Sequence, residues 1–141
     1  MIIVERATED DYSEIIAIDG AVIGDDHRKA YITKAIINRE VIVARISAER
    51  VGFGIINRSF FEHYFVALLV VHPDHRRQGI ATEIMRYVEK TCPDNKLFTS
   101  TNQSNTTARL LLARLGYIQS GEIHNLDNAD PEIIYVKFLE R

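Results

Sequence analysis

The feature that most constrains the fold is a long apolar segment that stops abruptly and leads through a short basic loop into a helix. Residues Tyr64–His72 are almost wholly apolar and are followed by Pro73, a pattern that predicts a strand buried on both faces. Residues Gln78–Thr91 then place apolar side chains at helical spacing. A strand, a tight turn and an amphipathic helix in direct succession predict a fold in which strands and helices alternate.

The rest of the chain predicts further strands and helices in an order typical of a mixed α/β sheet. Thr8 is an expected helix N-cap, and Gly116 is an expected residue just beyond a helix end. The expected strands are Ile2–Ala7, Glu40–Ile46, Val51–Arg58, Tyr64–His72, Lys96–Ser100, Tyr117–Ile123 and Glu132–Leu139, and the expected helices are Glu9–Asp19, Asp26–Asn38, Gln78–Thr91 and Asn105–Leu115. We therefore expect one mixed α/β domain over residues 1–141.

Composition and charge argue against several classes of protein. The formal net charge of −3 is unlike that of a general nucleic-acid binder. The longest strongly apolar stretch, Phe65–Val71, is too short to span a bilayer, and no signal peptide is visible. The single cysteine, Cys92, fits a reducing compartment. We expect a cytoplasmic protein that binds neither nucleic acid nor membrane, with no Cys/His metal pattern and no ATP-binding glycine loop.

The loop before the third helix predicts a site for a compact anion. The first amides of a helix lack internal partners and carry the positive end of its dipole, so a loop that enters a helix can hold a phosphate. Gly79 removes a side chain at this point, Ala81 keeps the next turn small, and Arg76 and Arg77 add positive charge. A plain strand–turn–helix connection with two solvated arginines is the alternative for this segment taken alone.

A second segment strengthens the phosphate hypothesis. Residues Asn105–Tyr117 contain Asn-Thr-Thr-Ala, two leucines and Gly-Tyr. Together the two segments resemble the motifs of the GNAT superfamily of acyl-CoA-dependent N-acyltransferases. Residues Leu69–Ala81 are similar to its pyrophosphate-binding motif, [QR]-x-x-G-x-[GA], and Asn105–Tyr117 is similar to N-x-x-A-x-x-L-Y-x-x-x-G-[FY]. The resemblance implies the GNAT fold, a central mixed, mostly antiparallel sheet of about seven strands flanked by about four helices.

The resemblance also implies a co-substrate and its binding residues. Family members transfer an acetyl group directly from acetyl-CoA to an amine in a ternary complex, without a metal. The backbone of Leu69 and Val71 matches positions that bind the pantetheine arm, and the loop residues match positions that bind the pyrophosphate. The full set of positions matching the family's cofactor-binding residues is Leu69, Val71, Arg76, Arg77, Gln78, Gly79, Ile80, Ala81 and Asn105.

The catalytic residues are less directly implied, because Leu112 occupies the position where the family usually has a tyrosine that protonates the leaving thiolate. Tyr117 and Tyr135 are the candidates to substitute for it. The alternative is that no dedicated acid is needed, because a CoA thiolate is a reasonably stable leaving group. Glu62 is similar in placement to a glutamate that acts as a base through water in some family members, and a solvated loop carboxylate is the alternative. His63 is a further candidate base.

The sequence does not distinguish a small-molecule amine from a peptide amine as the acceptor. It is also compatible with a homodimer. Four acidic residues, Glu122, Asp127, Asp130 and Glu132, are either a solvated hairpin tip or a rim that attracts a cationic amine.

Two other functions compete with an acetyltransferase. One is a non-catalytic acyl-CoA-binding module, with Leu112 as the trace of lost chemistry. The other is a different nucleotide binder, which would need a carboxylate after the next strand to bind a ribose, and Lys96–Thr101 supplies none.

Overall fold

Seven strands and four α-helices make up the protein, as the computed structural model describes it for residues 1–140. The strands are β1 (Ile2–Arg6), β2 (Val41–Ile46), β3 (Glu49–Phe60), β4 (His63–Val71), β5 (Lys96–Asn102), β6 (Ile118–Ile123) and β7 (Glu132–Phe138). The helices are α1 (Tyr12–Ile23), α2 (Lys29–Ile37), α3 (Ile80–Thr91) and α4 (Thr106–Arg114), with short 3₁₀ turns at Glu9–Asp11 and Pro73–His75.

The strands form one sheet in the order β1-β2-β3-β4-β5-β7-β6. The β4–β5 pair is parallel, with Phe65 opposite Phe98 and Val66 opposite Thr99. The β1–β2, β2–β3, β5–β7 and β6–β7 pairs are antiparallel. This mixed, mostly antiparallel sheet with four helices confirms the predicted fold class.

The chain divides into two compact units. The first, which we call the N-terminal unit, contains Met1–Ile56 and Leu68–Thr91. The second, the C-terminal unit, contains Asn57–Ala67 and the chain from Cys92 onward. Strands β3 and β4 contribute residues to both units. That residues 1–141 act as one domain stays a prediction.

In the N-terminal unit, α1 begins later and ends later than the sequence predicted. Thr8 is an N-cap as expected, but the turn that it caps is the 3₁₀ segment Glu9–Asp11, and the α-helix starts at Tyr12. The Asp11 carboxylate accepts a hydrogen bond from the Thr8 backbone N–H at 2.8 Å, which completes a capping box. The helix ends where Gly24 takes a left-handed φ of 83°, because glycine adopts this conformation without steric cost.

Helix α2 starts at Lys29, three residues later than the predicted start at Asp26. The intervening loop is held by its own side chains. The Asp25 carboxylate accepts the His27 backbone N–H at 3.0 Å, a local bond that competes with helix formation. Arg28 donates to the buried carboxylate of Asp19 from both Nε, at 3.2 Å, and Nη2, at 2.5 Å.

Strand β4 differs from the expectation of burial on both faces. Only Val66 and Val70 are buried, and its other residues are half-buried. At the start of the strand, the Phe65 ring stacks on Phe60 with centroids 5.2 Å apart, and Phe98 lies 5.0 Å from Phe60. These aromatic rings shield one another while leaving part of their surface in water, so a continuous apolar run here does not require a fully buried strand.

Candidate functional site

The end of β4 and the loop after it form the part of the N-terminal unit that the sequence assigned to phosphate binding. The His72 backbone N–H donates to the Val51 carbonyl at 2.8 Å, which fixes the end of the strand beside β3. Pro73 then opens a 3₁₀ turn, and the His72 ring caps it because Nδ1 accepts the Asp74 backbone N–H at 3.0 Å. The predicted pantetheine contacts, Leu69 and Val71, lie half-buried on this last part of β4.

Two left-handed residues shape the loop between the 3₁₀ turn and α3. Arg77 has a φ of 64° and Gly79 a φ of 79°. Because these angles are not helical, α3 begins at Ile80, and the predicted start at Gln78 is wrong by two residues. A Cβ built on Gly79 would meet no atom within 4 Å. The glycine is therefore required by its backbone angle and not by crowding from other protein atoms.

The loop presents positive groups to solvent around the start of α3. Arg76, Arg77, Gln78 and Gly79 are exposed, whereas Ile80 is buried under the first turn. The first helical hydrogen bond runs from the Glu83 N–H to the Gly79 carbonyl at 3.0 Å. The amides before it point out of the helix start without intrahelical acceptors. Two guanidinium groups beside such amides can bind a phosphate or pyrophosphate.

Two glycines that the sequence analysis did not single out seat α3 against the sheet. A Cβ on Gly52 would lie 2.9 Å from the Val70 carbonyl oxygen and 3.0 Å from Ile80 Cγ2. A Cβ on Gly54 would lie 3.2 Å from Ile84 Cγ2. Their absence of side chains lets α3 pack closely enough to bury Ile80 and Ile84. Two glycines at a spacing of two inside a strand are a sequence signal of such a close approach.

The remaining predicted cofactor residue, Asn105, lies in the C-terminal unit. It is the N-cap of α4, which begins one residue later than predicted. Its Oδ1 accepts the Ala108 backbone N–H at 3.1 Å. This cap uses the side-chain oxygen, so further contacts of Asn105 would come from its backbone or its amide nitrogen.

Tyr135 is buried on β7, with 3% of its surface exposed, and has a charged neighbour. Arg109 on α4 donates from Nε to the phenol oxygen at 3.1 Å, and its Nη1 donates to the Gln103 carbonyl at 3.2 Å. Because the phenol oxygen accepts this bond, its own hydrogen is directed elsewhere and can be donated. Arg109 was missed by the sequence analysis, since only the folded chain brings α4 against β7.

Tyr117 is also buried, and it lies beyond the end of α4, whose last residue is Arg114. Its backbone N–H donates to the Leu112 carbonyl at 2.9 Å, and the Lys137 ammonium lies 5.7 Å from its ring centroid. Leu112 itself is the buried residue of α4, with 4% of its surface exposed. The leucine at the family's usual tyrosine position therefore packs in the core.

Glu62 occupies a tight turn that joins β3 to β4. Phe61 and Glu62 form this two-residue turn, with φ values of 50° and 66°, as a type I′ hairpin requires. The Glu62 carbonyl accepts a hydrogen bond from Arg58 Nε at 3.0 Å, and its side chain is exposed. The structure thus places the predicted base at a hairpin tip of the C-terminal unit, immediately before the first residue of β4.

His63 lies next to this turn and contacts an acidic residue. Its Nδ1 is 3.6 Å from Asp94 Oδ2, and its ring centroid is 5.7 Å from that of Phe98. The backbone N–H of Asn95 lowers the pKa of Asp94 below its usual value, and the His63 side chain lowers it further. His63 therefore has a structural partner in addition to its candidacy as a base.

The acidic residues of the β6–β7 connection are used as hydrogen-bond acceptors. Asn102 Nδ2 donates to Asp127 at 2.9 Å, and the backbone N–H and Oγ of Ser104 donate to Asp130 at 3.0 and 2.6 Å. These bonds tie the connection to the segment between β5 and α4. This favours a structural role for the two aspartates over a rim that only attracts a cationic ligand.

Residues 1–140 contain neither a candidate metal centre nor a candidate membrane-spanning helix. No group of three or more His, Cys, Asp or Glu side chains in this range could hold a metal ion. Over the same residues, none of the helices has the length and apolar character needed to cross a membrane.

The seven-stranded mixed sheet, with a parallel β4–β5 pair and a basic, glycine-containing loop opening the helix between them, defines a fold of the acetyltransferase class. The profile of the Acetyltransferase (GNAT) family matches residues 6–117, and the chain belongs to this family. An acetyltransferase of the GNAT family from Bacillus cereus is 35% identical, covers 100% of this chain and 99% of its own, and superposes with a TM-score of 0.96.

More distant solved structures share the fold. The ribosomal-protein-S18-alanine N-acetyltransferase from Escherichia coli is 16% identical over 100% of this chain and 96% of its own, with a TM-score of 0.86. A putative acetyltransferase from Salmonella typhimurium, yncA, solved with its cofactor acetyl-CoA, is 15% identical over 100% of this chain and 95% of its own, with a TM-score of 0.81. No curated protein matches the sequence significantly.

Proposed function

We propose that the protein transfers an acetyl group from acetyl-CoA to a primary amine, directly, in a ternary complex. The observation that carries the proposal is the loop from Arg76 to Gly79, whose two left-handed residues and two arginines lead into the exposed start of α3. Membership of the GNAT acetyltransferase family supports the same reaction, and the fold neighbour solved with acetyl-CoA supports this choice of donor. A cytoplasmic location fits this donor.

The loop would hold the pyrophosphate of the cofactor through backbone N–H groups from Arg77 to Ala81, with Arg76 and Arg77 neutralising its charge. The backbone of Leu69 and Val71, on the strand that leads into the loop, would hold the pantetheine arm. Asn105, through its backbone or its amide nitrogen, would contact the same arm. The bound cofactor supplies the thioester that is the acetyl donor.

The transfer requires three events from the protein. A base removes a proton from the amine, a backbone N–H near Val71 stabilises the tetrahedral oxyanion, and an acid protonates the thiolate as the C–S bond breaks. We assign the base to Glu62, acting through water. The exposed side chain of Glu62, at the tip of the β3–β4 hairpin, is accessible to such a water.

We assign the acid to Tyr135 in preference to Tyr117. The Tyr135 phenol oxygen already accepts a hydrogen bond from Arg109 Nε at 3.1 Å, so its proton is available for donation.

The acceptor is a primary amine on a small molecule or a peptide. A fold neighbour is named for acetylating an alanine of a ribosomal protein, and this supports including peptides with a free N-terminal alanine among the substrates tested. A non-catalytic acyl-CoA-binding module would bind the cofactor and turn over none of these amines. Leu112 is a core residue, a role that it can fill in an active enzyme as well as in a binding module.

The decisive experiment is an acetyl-CoA turnover screen across polyamines, amino acids, aminoglycosides and peptide N-termini, read by release of free thiol. We expect thiol release that depends on one amine class. Binding of acetyl-CoA measured by calorimetry, with no turnover on any amine, would instead support the binding module.

The Gly79→Glu variant tests where the cofactor binds. The new side chain would place bulk and negative charge beside the pyrophosphate and would strain a residue whose φ is 79°. A Cβ at this position meets no protein atom within 4 Å, so we expect the fold to persist. Calorimetry should show loss of CoA binding, while circular dichroism should be unchanged. Wild-type affinity would contradict the assignment of this loop.

A further inference from the structure

The loop that opens α3 is linked to the start of β3 by a short series of side-chain contacts. His75, in the 3₁₀ turn before the loop, lies between two polar groups. Its Nε2 is 3.3 Å from Glu49 Oε1, and its Nδ1 is 3.5 Å from Gln78 Oε1. The His75 side chain is only 20% exposed, although Glu49 is 66% exposed. The ring is therefore held between the first residue of β3 and the residue just before Gly79.

One tautomer of the His75 ring makes both contacts. The Nε2–H donates to the Glu49 carboxylate, and Nδ1 accepts from the Gln78 carboxamide once that planar group is turned to present its NH₂. The His72 ring lies edge-on, 6.0 Å from the His75 ring, but its own Nδ1 already accepts the Asp74 backbone N–H. Glu49 and Gln78 are thus the two polar partners that orient His75.

The loop needs such support because its conformation is unfavourable in isolation. Arg77 holds a left-handed φ of 64° without being glycine, and such residues persist only where their surroundings fix them. The loop residues Arg76 to Gly79 are exposed and bury little apolar surface. Anion binding by backbone N–H groups depends on their being oriented before the anion arrives.

The charge of Glu49 makes a direct role in anion binding unfavourable. A carboxylate repels a nearby pyrophosphate, because both are negatively charged. Direct contact between Glu49 and the bound pyrophosphate would therefore weaken binding. Its contact is instead with the ring of His75, and the ring contacts Gln78. Any benefit of Glu49 must therefore pass through the orientation of these side chains.

We propose that Glu49 and His75 are positioning residues for the cofactor pyrophosphate, because together they hold Gln78 and so fix the backbone amides on either side of Gly79. This inference rests on the proposed function, since it assumes that CoA binds at the loop. Neither residue belongs to the set that the family motif marks as touching the cofactor.

The test compares Glu49→Ala, Glu49→Gln and His75→Ala with a control, Glu5→Ala. Glu5 is a suitable control because it is a half-exposed strand carboxylate of the same unit, 3.1 Å from Arg45 Nε. Calorimetry measures the Kd for CoA, with inorganic pyrophosphate as a competing probe, and steady-state kinetics give KM for acetyl-CoA and kcat at saturation. Thermal unfolding of each variant accompanies these measurements.

We expect Glu49→Ala and His75→Ala each to raise the Kd for CoA by about 3–10-fold, the range of a lost hydrogen bond. The KM for acetyl-CoA should rise in parallel while kcat is retained. Glu49→Gln should rescue binding to within about twofold of wild type, because its amide oxygen still accepts from His75. The double alanine variant should be no worse than the poorer single variant, since both act through one contact series.

Wild-type affinity in Glu49→Ala, or tighter binding through loss of a negative charge, would overturn the inference. An equal loss of CoA affinity in Glu5→Ala would also overturn it, since removing any carboxylate from the N-terminal unit would then weaken binding. A wild-type protein that does not bind CoA would overturn the proposed function and this inference together. Wild-type binding of CoA with unaffected Glu49 and His75 variants would overturn this inference alone.

Discussion

At the scale of single residues, the chemistry turns on which group replaces the tyrosine that the family usually carries at the position of Leu112. The leucine packs in the core, and the mechanism that we propose takes its acid from another residue. Tyr135 has a guanidinium against its oxygen, whereas the Tyr117 ring lies under the Lys137 ammonium at 5.7 Å. These different surroundings separate two tyrosines that the sequence treated as equivalent.

Replacing Tyr135 with phenylalanine tests this distinction. The variant keeps the ring and removes only the hydroxyl, so we expect kcat to fall by about 10²-fold with CoA affinity unchanged. Losing the bond from Arg109 should lower the free energy of unfolding by about 1 kcal/mol. Tyr117→Phe is the matched control and should keep kcat within a few-fold of wild type. The reverse ranking of the two variants would assign the acid to Tyr117.

Replacing Glu62 with glutamine tests the base. The side chain is exposed and the backbone carbonyl makes the bond to Arg58, so the substitution should leave the hairpin intact. We expect kcat to fall by about 10²-fold, with the Kd for CoA unchanged. Glu83→Gln, on α3, is a control for removal of a surface carboxylate. Wild-type kcat in Glu62→Gln would shift the role to His63 or to solvent.

At the scale of secondary-structure elements, the position of α3 decides where the loop amides lie. The helix sits over Gly52 and Gly54, which leave room for Ile80 and Ile84. A methyl group on either glycine would push against this contact. The start of α3 adjoins the loop that we assign to the cofactor. A shift of the helix caused by poorer packing on Gly52 or Gly54 would therefore also move the amides that we propose bind the pyrophosphate.

Gly52→Ala should therefore be more harmful than Gly54→Ala. The new Cβ of Gly52→Ala would lie 2.9 Å from a backbone oxygen, which cannot rotate away, whereas that of Gly54→Ala would lie 3.2 Å from the Ile84 side chain. We expect Gly52→Ala to lower the free energy of unfolding by about 1–3 kcal/mol, within the range of overpacked cores. Urea denaturation measures both variants. Equal stability of wild type and Gly52→Ala would contradict this packing account.

Elements were predictable from the sequence where a strong local signal marks their ends. Pro73 ends the apolar run of β4, and the caps Thr8 and Asn105 mark the starts of helical segments within a few residues. Helix α3 was placed too early because Gly79, inside the predicted helix, has a left-handed φ of 79°. A glycine at the start of a helical pattern does not by itself show whether it lies in the helix or before it. The Arg109–Tyr135 bond joins residues 26 positions apart, and no local pattern predicts it.

At the scale of the whole molecule, two aspartates predict how the free energy of unfolding changes at low pH. Their carboxylates accept hydrogen bonds from neighbouring residues in the folded protein. The backbone N–H of His27 lowers the pKa of Asp25, and its side chain lowers it further. The backbone N–H of Asn95 and the His63 side chain do the same for Asp94. Each unit therefore contains one carboxylate that is favoured in its ionised form by folding.

The sign of the resulting pH dependence follows from linkage. A carboxyl group whose pKa is lower in the folded state binds fewer protons there than in the unfolded state, so folding is favoured above the unfolded value of 3.8. This contribution is lost as the pH falls from that value through the lowered folded-state pKa. We expect the free energy of unfolding, measured by urea denaturation, to fall over this range, and to fall less steeply in Asp94→Asn. Carbon-detected NMR titration should place both carboxyl transitions below 3.8. A transition of Asp94 at or above that value, or an Asp94→Asn curve as steep as wild type, would show that His63 and Asn95 do not stabilise the carboxylate in solution.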